Sequence, residues 1–334
     1  MRFELSPLPG RAQHALAPNL LSDLLAYQRG RHARGSPVPI TRTSGCSTFM
    51  TASETTLDGL RQQIDRIDEQ IHDLLIERTG LVEEIRSRKS QSGAPVIQPA
   101  READIFRRLA ARHRGPFPLG ALHRIWREII TAITALQQPM AVAVYVPDDE
   151  PGAWDIARDH YGSHVQMTPF STISQVIRAV TERSATIGVL PMPSEDEADP
   201  WWRQLISRDA GAPHIIARLP FAGRGNARAG RDAVAIACQP APLDCCDRSF
   251  IVIEVPAQIS RARLQSCLTA AGFHCDLLAA WARDGLCLTL AELRGAVTPD
   301  DPRLADLSAQ LGETIDLLFH LGGYAEPFVT TPRA

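Results

Sequence analysis

The sequence predicts a multidomain chain: an all-α section of three helices, then an α/β region, then a ferredoxin-like α+β region. Three observations predict it. Apolar residues recur three and four apart at Leu57, Leu60, Ile64, Ile67, Ile71, Leu74, Leu81 and Ile85, over about nine turns of helix. Two shorter helical patterns follow before Pro139. Past Pro139 the pattern changes to short apolar runs of strand length, separated by helical stretches.

Residues 1–52 mix Pro, Gly, Arg and Ser without periodicity and read as disordered, or as sequence upstream of a start at Met50. A transit peptide fits less well, because Glu4, Asp23 and scattered prolines spoil an amphipathic helix. The helical section is expected over 53–138. Its first helix opens near Thr55 and Asp58, a weaker form of capping box, and stops at Ser92-Gly93-Ala94-Pro95. The second runs from about Arg101 to Arg112. The third spans Leu119 to Gln137, with Leu122, Ile125, Trp126, Ile129, Ile130 and Ile133 inward. Three helices with so long a first member do not close a core alone, so an intertwined homodimer is expected. Strand candidates at 141–146 and 185–190, with a helix at 173–182, make an α/β region over 140–240. Strands near 249–255 and 285–293 and helices near 261–271 and 304–319 suit a β-α-β-β-α-β domain over 247–328.

Composition excludes several function classes. With 35 basic and 38 acidic residues the formal net charge is -3, which gives no footprint for nucleic acid or an anionic membrane. No apolar run approaches about 18 residues and no secretory core stands at the N-terminus, so a cytoplasmic chain is expected. The cysteines number seven, without C-x-x-C spacing, and H-E-x-x-H and G-x-S-x-G are missing. Gly223-Arg224-Gly225-Asn226 lacks the flanking strand and helix of a phosphate loop. No metal and no cofactor is expected.

Several polar residues stand where an apolar stripe should continue. At 100° per residue Arg78 lies within roughly 20–40° of Ile64, Ile67, Ile71, Leu74 and Ile85. Lys89 sits about 20° from Arg78 and roughly 16 Å farther along. Gln137 falls about 20° from Trp126 on the third helix. The bland alternative is that Arg78 and Lys89 reach solvent or pair with Glu77, Glu83 and Glu84. Together with Arg61 at the stripe's edge and Arg101-Glu102 opening the second helix, they describe a cationic, donor-rich pocket for a small polyanion.

The residues that carry this pattern also carry a resemblance. Leu60-Arg61-Gln62-Gln63-Ile64-Asp65-Arg66-Ile67-Asp68, Leu74-Leu75-Ile76-Glu77-Arg78, Lys89, Pro95-Val96, Arg101-Glu102 and Ile125-Trp126-Arg127-Glu128-Ile129-Ile130 resemble the all-helical chorismate mutases. The resemblance implies rearrangement of chorismate to prephenate, a step that needs positioning and preorganised charge rather than a nucleophile. It implies that Arg78, with Arg61 from a second copy, binds the carboxylates. Lys89 would reach a carboxylate and the ether oxygen, and Gln137 would donate to that oxygen. Glu102 would accept from the ring hydroxyl, with Arg101 supporting the cluster. Gln98 stands where the family often has Asp, and Ile133 where a Ser can occur.

Residues 141–238 resemble the first part of a prephenate dehydratase domain, best from Phe170 to Pro191. Its Thr-Arg-Phe signature is replaced near Arg231-Asp232-Ala233-Val234, and the span before it is short for a second lobe. Residues 247–328 resemble an ACT domain ending in Leu321-Gly322-Gly323-Tyr324. The elements that mark phenylalanine binding in that family are missing, one replaced by Ala279-Ala280-Trp281-Ala282. A chorismate mutase with a non-catalytic appendage is the expected function. The alternatives are a bifunctional mutase and dehydratase, and a catalytically silent interaction module for another shikimate-pathway enzyme.

Overall fold

The three-and-four spacing from Leu57 onward gives one helix, α1 (Leu57–Lys89). The computed structural model describes residues 56–89, 95–148, 152–195, 197–209, 211–223, 232–239, 246–312 and 318–328. The expectations for residues 1–52, for Thr55, for Ser92-Gly93-Ala94, for most of the Gly223–Asn226 loop and for Arg231 lie outside them. The chain divides into residues 1–68 and 69–334. Of the first unit, residues 56–68 carry the opening of α1, where the Thr56 hydroxyl accepts from the Gly59 N–H at 3.1 Å and so caps the helix. Arg61 pairs there with Asp58 at 3.1 Å in solvent.

In the second unit α1 continues and is followed by α2 (Pro99–Arg112) and α3 (Leu119–Gln137). Proline at the first position of α2 lacks only an N–H that the helix leaves unpaired anyway. The chain then runs β1 (Ala141–Tyr145), α4 (Gly152–Tyr161), β2 (Gln166–Phe170), α5 (Ile173–Thr181) and β3 (Ile187–Pro191). A 3-10 turn at Trp201–Leu205 leads to β4 (His214–Leu219) and β5 (Ala233–Ala237). The last stretch is β6 (Arg248–Pro256), α6 (Arg261–Ala270), β7 (Cys275–Arg283), β8 (Leu286–Arg294), α7 (Pro302–Leu311) and β9 (Leu318–Tyr324).

Among the described residues, nine strands form one mixed sheet in the order β2-β1-β3-β5-β4-β9-β6-β8-β7. β1 is parallel to both neighbours and is apolar along its length because both its faces are covered. Val142 and Val144 pack with Ile156 and Tyr161 of α4, while Ala143 packs with Val176 and Val180 of α5 and with Trp202. Strands β6 to β9 realise the β-α-β-β-α-β order, with Phe250 and Val252 entering one layer and Ile251 and Ile253 the other. The two expected regions therefore share a sheet, joined where Ile215 of β4 pairs with Gly322 of β9. Gly322 has φ +112, and a Cβ there would stand 2.1 Å from the Ile215 carbonyl oxygen. Only glycine permits that approach.

The fold class is the one the sequence predicts, a helical section followed by a large mixed-sheet region. Two details differ. The helix expected over 304–319 stops at Leu311, where Gly312 takes a left-handed conformation, and Leu318–Tyr324 is strand β9. On α3 the buried residues are His123, Arg127, Ile130, Thr131, Ile133 and Thr134, whereas Ile125 is 45% exposed.

Candidate active site

Three helices each turn one stripe toward a single cavity of about 130 Å³. Helix α1 supplies Arg78, Val82 and Ile85, and α3 supplies Ile130, Ile133, Thr134 and Gln137. Helix α2 supplies Arg101, Glu102 and Ile105, with Gln98 at its N-cap. Each set follows the i, i+3, i+4, i+7 spacing that shares a helix face. Five of the seven residues singled out in the sequence thus line one cavity.

Arg78 is the anomalous member. Its Nη1 is buried and has no hydrogen-bond partner among the described residues. Burial holds the guanidinium below its usual pKa. The residue as a whole is half-buried, but a buried cationic N–H without an acceptor is costly, and an anionic ligand relieves that cost. Arg101 is exposed at the rim. Gln98 Nε2 donates to the Pro95 carbonyl at 3.0 Å. Gln137 Nε2 donates to the Ile133 carbonyl of its own helix at 3.5 Å, a long bond that a ligand oxygen can replace. Ile133 puts an apolar wall where the resemblance allows a serine.

The other two residues are not brought there. Lys89 is the last residue of α1, and its side chain lies outside the described residues. Arg61 belongs to the first unit and is engaged with Asp58.

One residue with a clear bond to this set was missed. Arg127 of α3 is 4% exposed, and its Nη1 donates to Glu102 Oε2 at 2.7 Å. The signal was present in His123, Arg127, Thr131 and Thr134, a polar stripe roughly 160° from the Leu122–Ile125–Ile129 stripe on the same helix. An apolar-only search passes over it.

The buried histidines near Arg127 set a pH dependence. Burial first, then the Arg127 and Arg124 charges, push the pKa of His123 down to about 3. His160 is lowered well below its usual value by burial, then by Arg127 and His123. Both are neutral in the fold at pH values where an unfolded histidine, near 6.5, takes up a proton. The unfolded state therefore binds more protons, and this stability is complete above about pH 6.5 and is lost as pH falls toward 3. At pH 5 the His123 contribution alone should destabilise by about 2 kcal/mol. Calorimetric melting between about pH 7.5 and 5 should show the decline, and His123→Phe should flatten it. Equal slopes for wild type and variant would contradict the assignment.

The cavity's cationic and amide groups come from α1, from α2 with its N-cap, and from α3. Residues 60–138 match the chorismate mutase type II family. The matched residues include all seven predicted site residues. A relative from Aquifex aeolicus named bifunctional chorismate mutase/prephenate dehydratase is 37% identical over 140 residues, 41% of this chain and 38% of that protein. One of the same name from Pseudomonas aeruginosa is 31% identical over 151 residues, 44% of this chain and 41% of that protein. The chain thus covers well under half the length of either relative. A prephenate dehydratase structure from Streptococcus mutans aligns with 57% of this chain and 100% of its own, at 13% identity and a TM-score of 0.41. No described helix is long and apolar enough to cross a membrane.

Proposed function

We propose that the chain is a cytoplasmic, homodimeric chorismate mutase that converts chorismate to prephenate in aromatic amino-acid biosynthesis. The observation that carries the reading is Arg78 Nη1, buried and without a partner among the described residues, beside a cavity that also offers Arg101, Gln98 and Gln137. Chorismate is a compact dicarboxylate whose rearrangement gathers negative charge on an ether oxygen. Fixed cations and amide donors suffice to hold the reactive conformer and stabilise that charge. Arg78 binds a carboxylate, with Arg61 and Lys89 completing the anion site and Arg61 coming from the second copy. Gln137 exchanges its long bond to Ile133 for the ether oxygen, and Glu102 accepts from the ring hydroxyl. The homodimer is supported by α1, on which Leu57, Leu60, Ile64, Ile67, Ile71, Leu74, Leu81 and Ile85 are each between 42% and 65% exposed.

The names of both relatives favour a second reading, in which the sheet region adds prephenate dehydratase chemistry. Against it, Asp232 accepts from Arg218 at 3.0 Å, and Ala233 and Val234 are buried in β5, so this stretch offers no hydroxyl where the signature threonine is expected. Incubating the purified full chain with chorismate tests both. Prephenate should accumulate while phenylpyruvate stays at the non-enzymatic background. Untouched chorismate would overturn the mutase reading in favour of a silent interaction module, and protein-dependent phenylpyruvate would establish the bifunctional one.

A further inference from the structure

Arg127 is a buried cation on a helix whose role in the cavity no sequence pattern assigned. Its Nη1 holds one oxygen of Glu102 at 2.7 Å, and its Nε donates to Nε2 of His123 at 3.3 Å. Its guanidinium carbon lies 5.6 Å from the centre of the Phe221 ring, which follows β4. Phe221 in turn packs with Phe106 of α2, and Phe106 meets Phe328 beyond β9 edge-on at 5.6 Å. The Phe328 N–H donates to the Phe221 carbonyl at 2.6 Å. Side chains of the sheet region thus help to close water off from an ion pair whose carboxylate lines the cavity.

We propose that Arg127 is a positioning residue for Glu102, and that the sheet region is a structural part of the mutase site because it encloses this pair. The inference rests on the mutase reading of the cavity. A carboxylate has two oxygens. Arg127 fixes Oε2, which leaves Oε1 to accept from a ligand hydroxyl without reorganising when the ligand arrives. A glutamate freed from Arg127 samples several rotamers, and displacement of even about 1 Å from the productive position lowers turnover strongly. Neutral His123, accepting at Nε2, orients the guanidinium from its other side.

The test is a double-mutant cycle on the full chain, reading chorismate turnover and the thermal midpoint together. Arg127→Gln should lower kcat by about tenfold or more, with KM changed less than about threefold. In an Glu102→Gln background the same substitution should cost less than about twofold, because there is no longer a carboxylate to position. Arg127→Lys, which keeps the charge, should recover part of kcat and covers the case in which the glutamine variant folds poorly. Equal losses in both backgrounds, or no loss in either, would overturn the positioning role while leaving the mutase reading intact. A wild-type chain that leaves chorismate untouched overturns that reading and this inference with it.

Discussion

Arg78→Ala should lower kcat/KM for prephenate formation by at least about a hundredfold, the scale of losing one preorganised donor to developing or fixed negative charge. The same substitution should leave the thermal midpoint unchanged or raised. These two expectations distinguish a ligand site from a structural ion pair. A guanidinium that held the fold together would have an acceptor, and removing it would strand that acceptor at a cost of about 3–5 kcal/mol. Nη1 of Arg78 has no such partner among the described residues, and burial already disfavours its charged form. Deleting it removes a desolvation penalty and a ligand contact at once. Steady-state turnover and calorimetry on the same preparation check the pair. Near-normal turnover would remove Arg78 from the site, and lost turnover with a collapsed midpoint would make it a packing residue.

The cavity was legible in the sequence to the extent that it depends on helical spacing, which is local. Arg101 and Glu102 each share a face with Ile105, four and three residues on, and Ile130, Ile133, Thr134 and Gln137 follow the same spacing. Arg78 stood out because it interrupts an apolar stripe. The same logic hid Arg127. A charged residue on a helix ordinarily faces water, and only the placement of Glu102 and Phe221, distant in sequence, makes this one interior.

Strands depended still more on distant partners. Strands β1, β3 and β6 are buried on both faces and read as plain apolar runs. Strand β7 carries Asp276 and Arg283, and β4 carries His214 and Arg218, so neither shows a clean period of two. Strand β9 contains Gly322 and Gly323, which strands generally disfavour. Their reason is tertiary, since a side chain on Gly322 would strike the Ile215 backbone of β4, and one on Gly323 would stand 2.4 Å from the Arg248 carbonyl oxygen of β6. The expected helix over 304–319 ran too far for the same cause: Leu318 and Phe319 continue an apolar pattern but pair with β6.

Pairing Ile67→Asp with Ile71→Asp should convert the protein from a dimer to a monomer and abolish its turnover. Helix α1 is roughly 50 Å long, and the apolar side chains of its stripe are 42% to 65% exposed in a single chain. A continuous apolar surface of that extent marks an interface, and a helix with this stripe buries it best against a copy of itself. Light scattering should give twice the 36.6 kDa chain mass for wild type and the single mass for the variant. Loss of turnover follows if Arg61 serves the cavity of the other copy, and subunit mixing tests that clause by itself. In a two-fold dimer of Arg61→Ala and Arg78→Ala chains, one site joins the intact Arg78 of the first to the intact Arg61 of the second. The other site lacks both. With random exchange half the dimers are mixed and half their sites are whole, so about one quarter of wild-type turnover should return. If Arg61 acted within its own chain, no mixed dimer would hold an intact site, and the mixture would stay as inactive as its components.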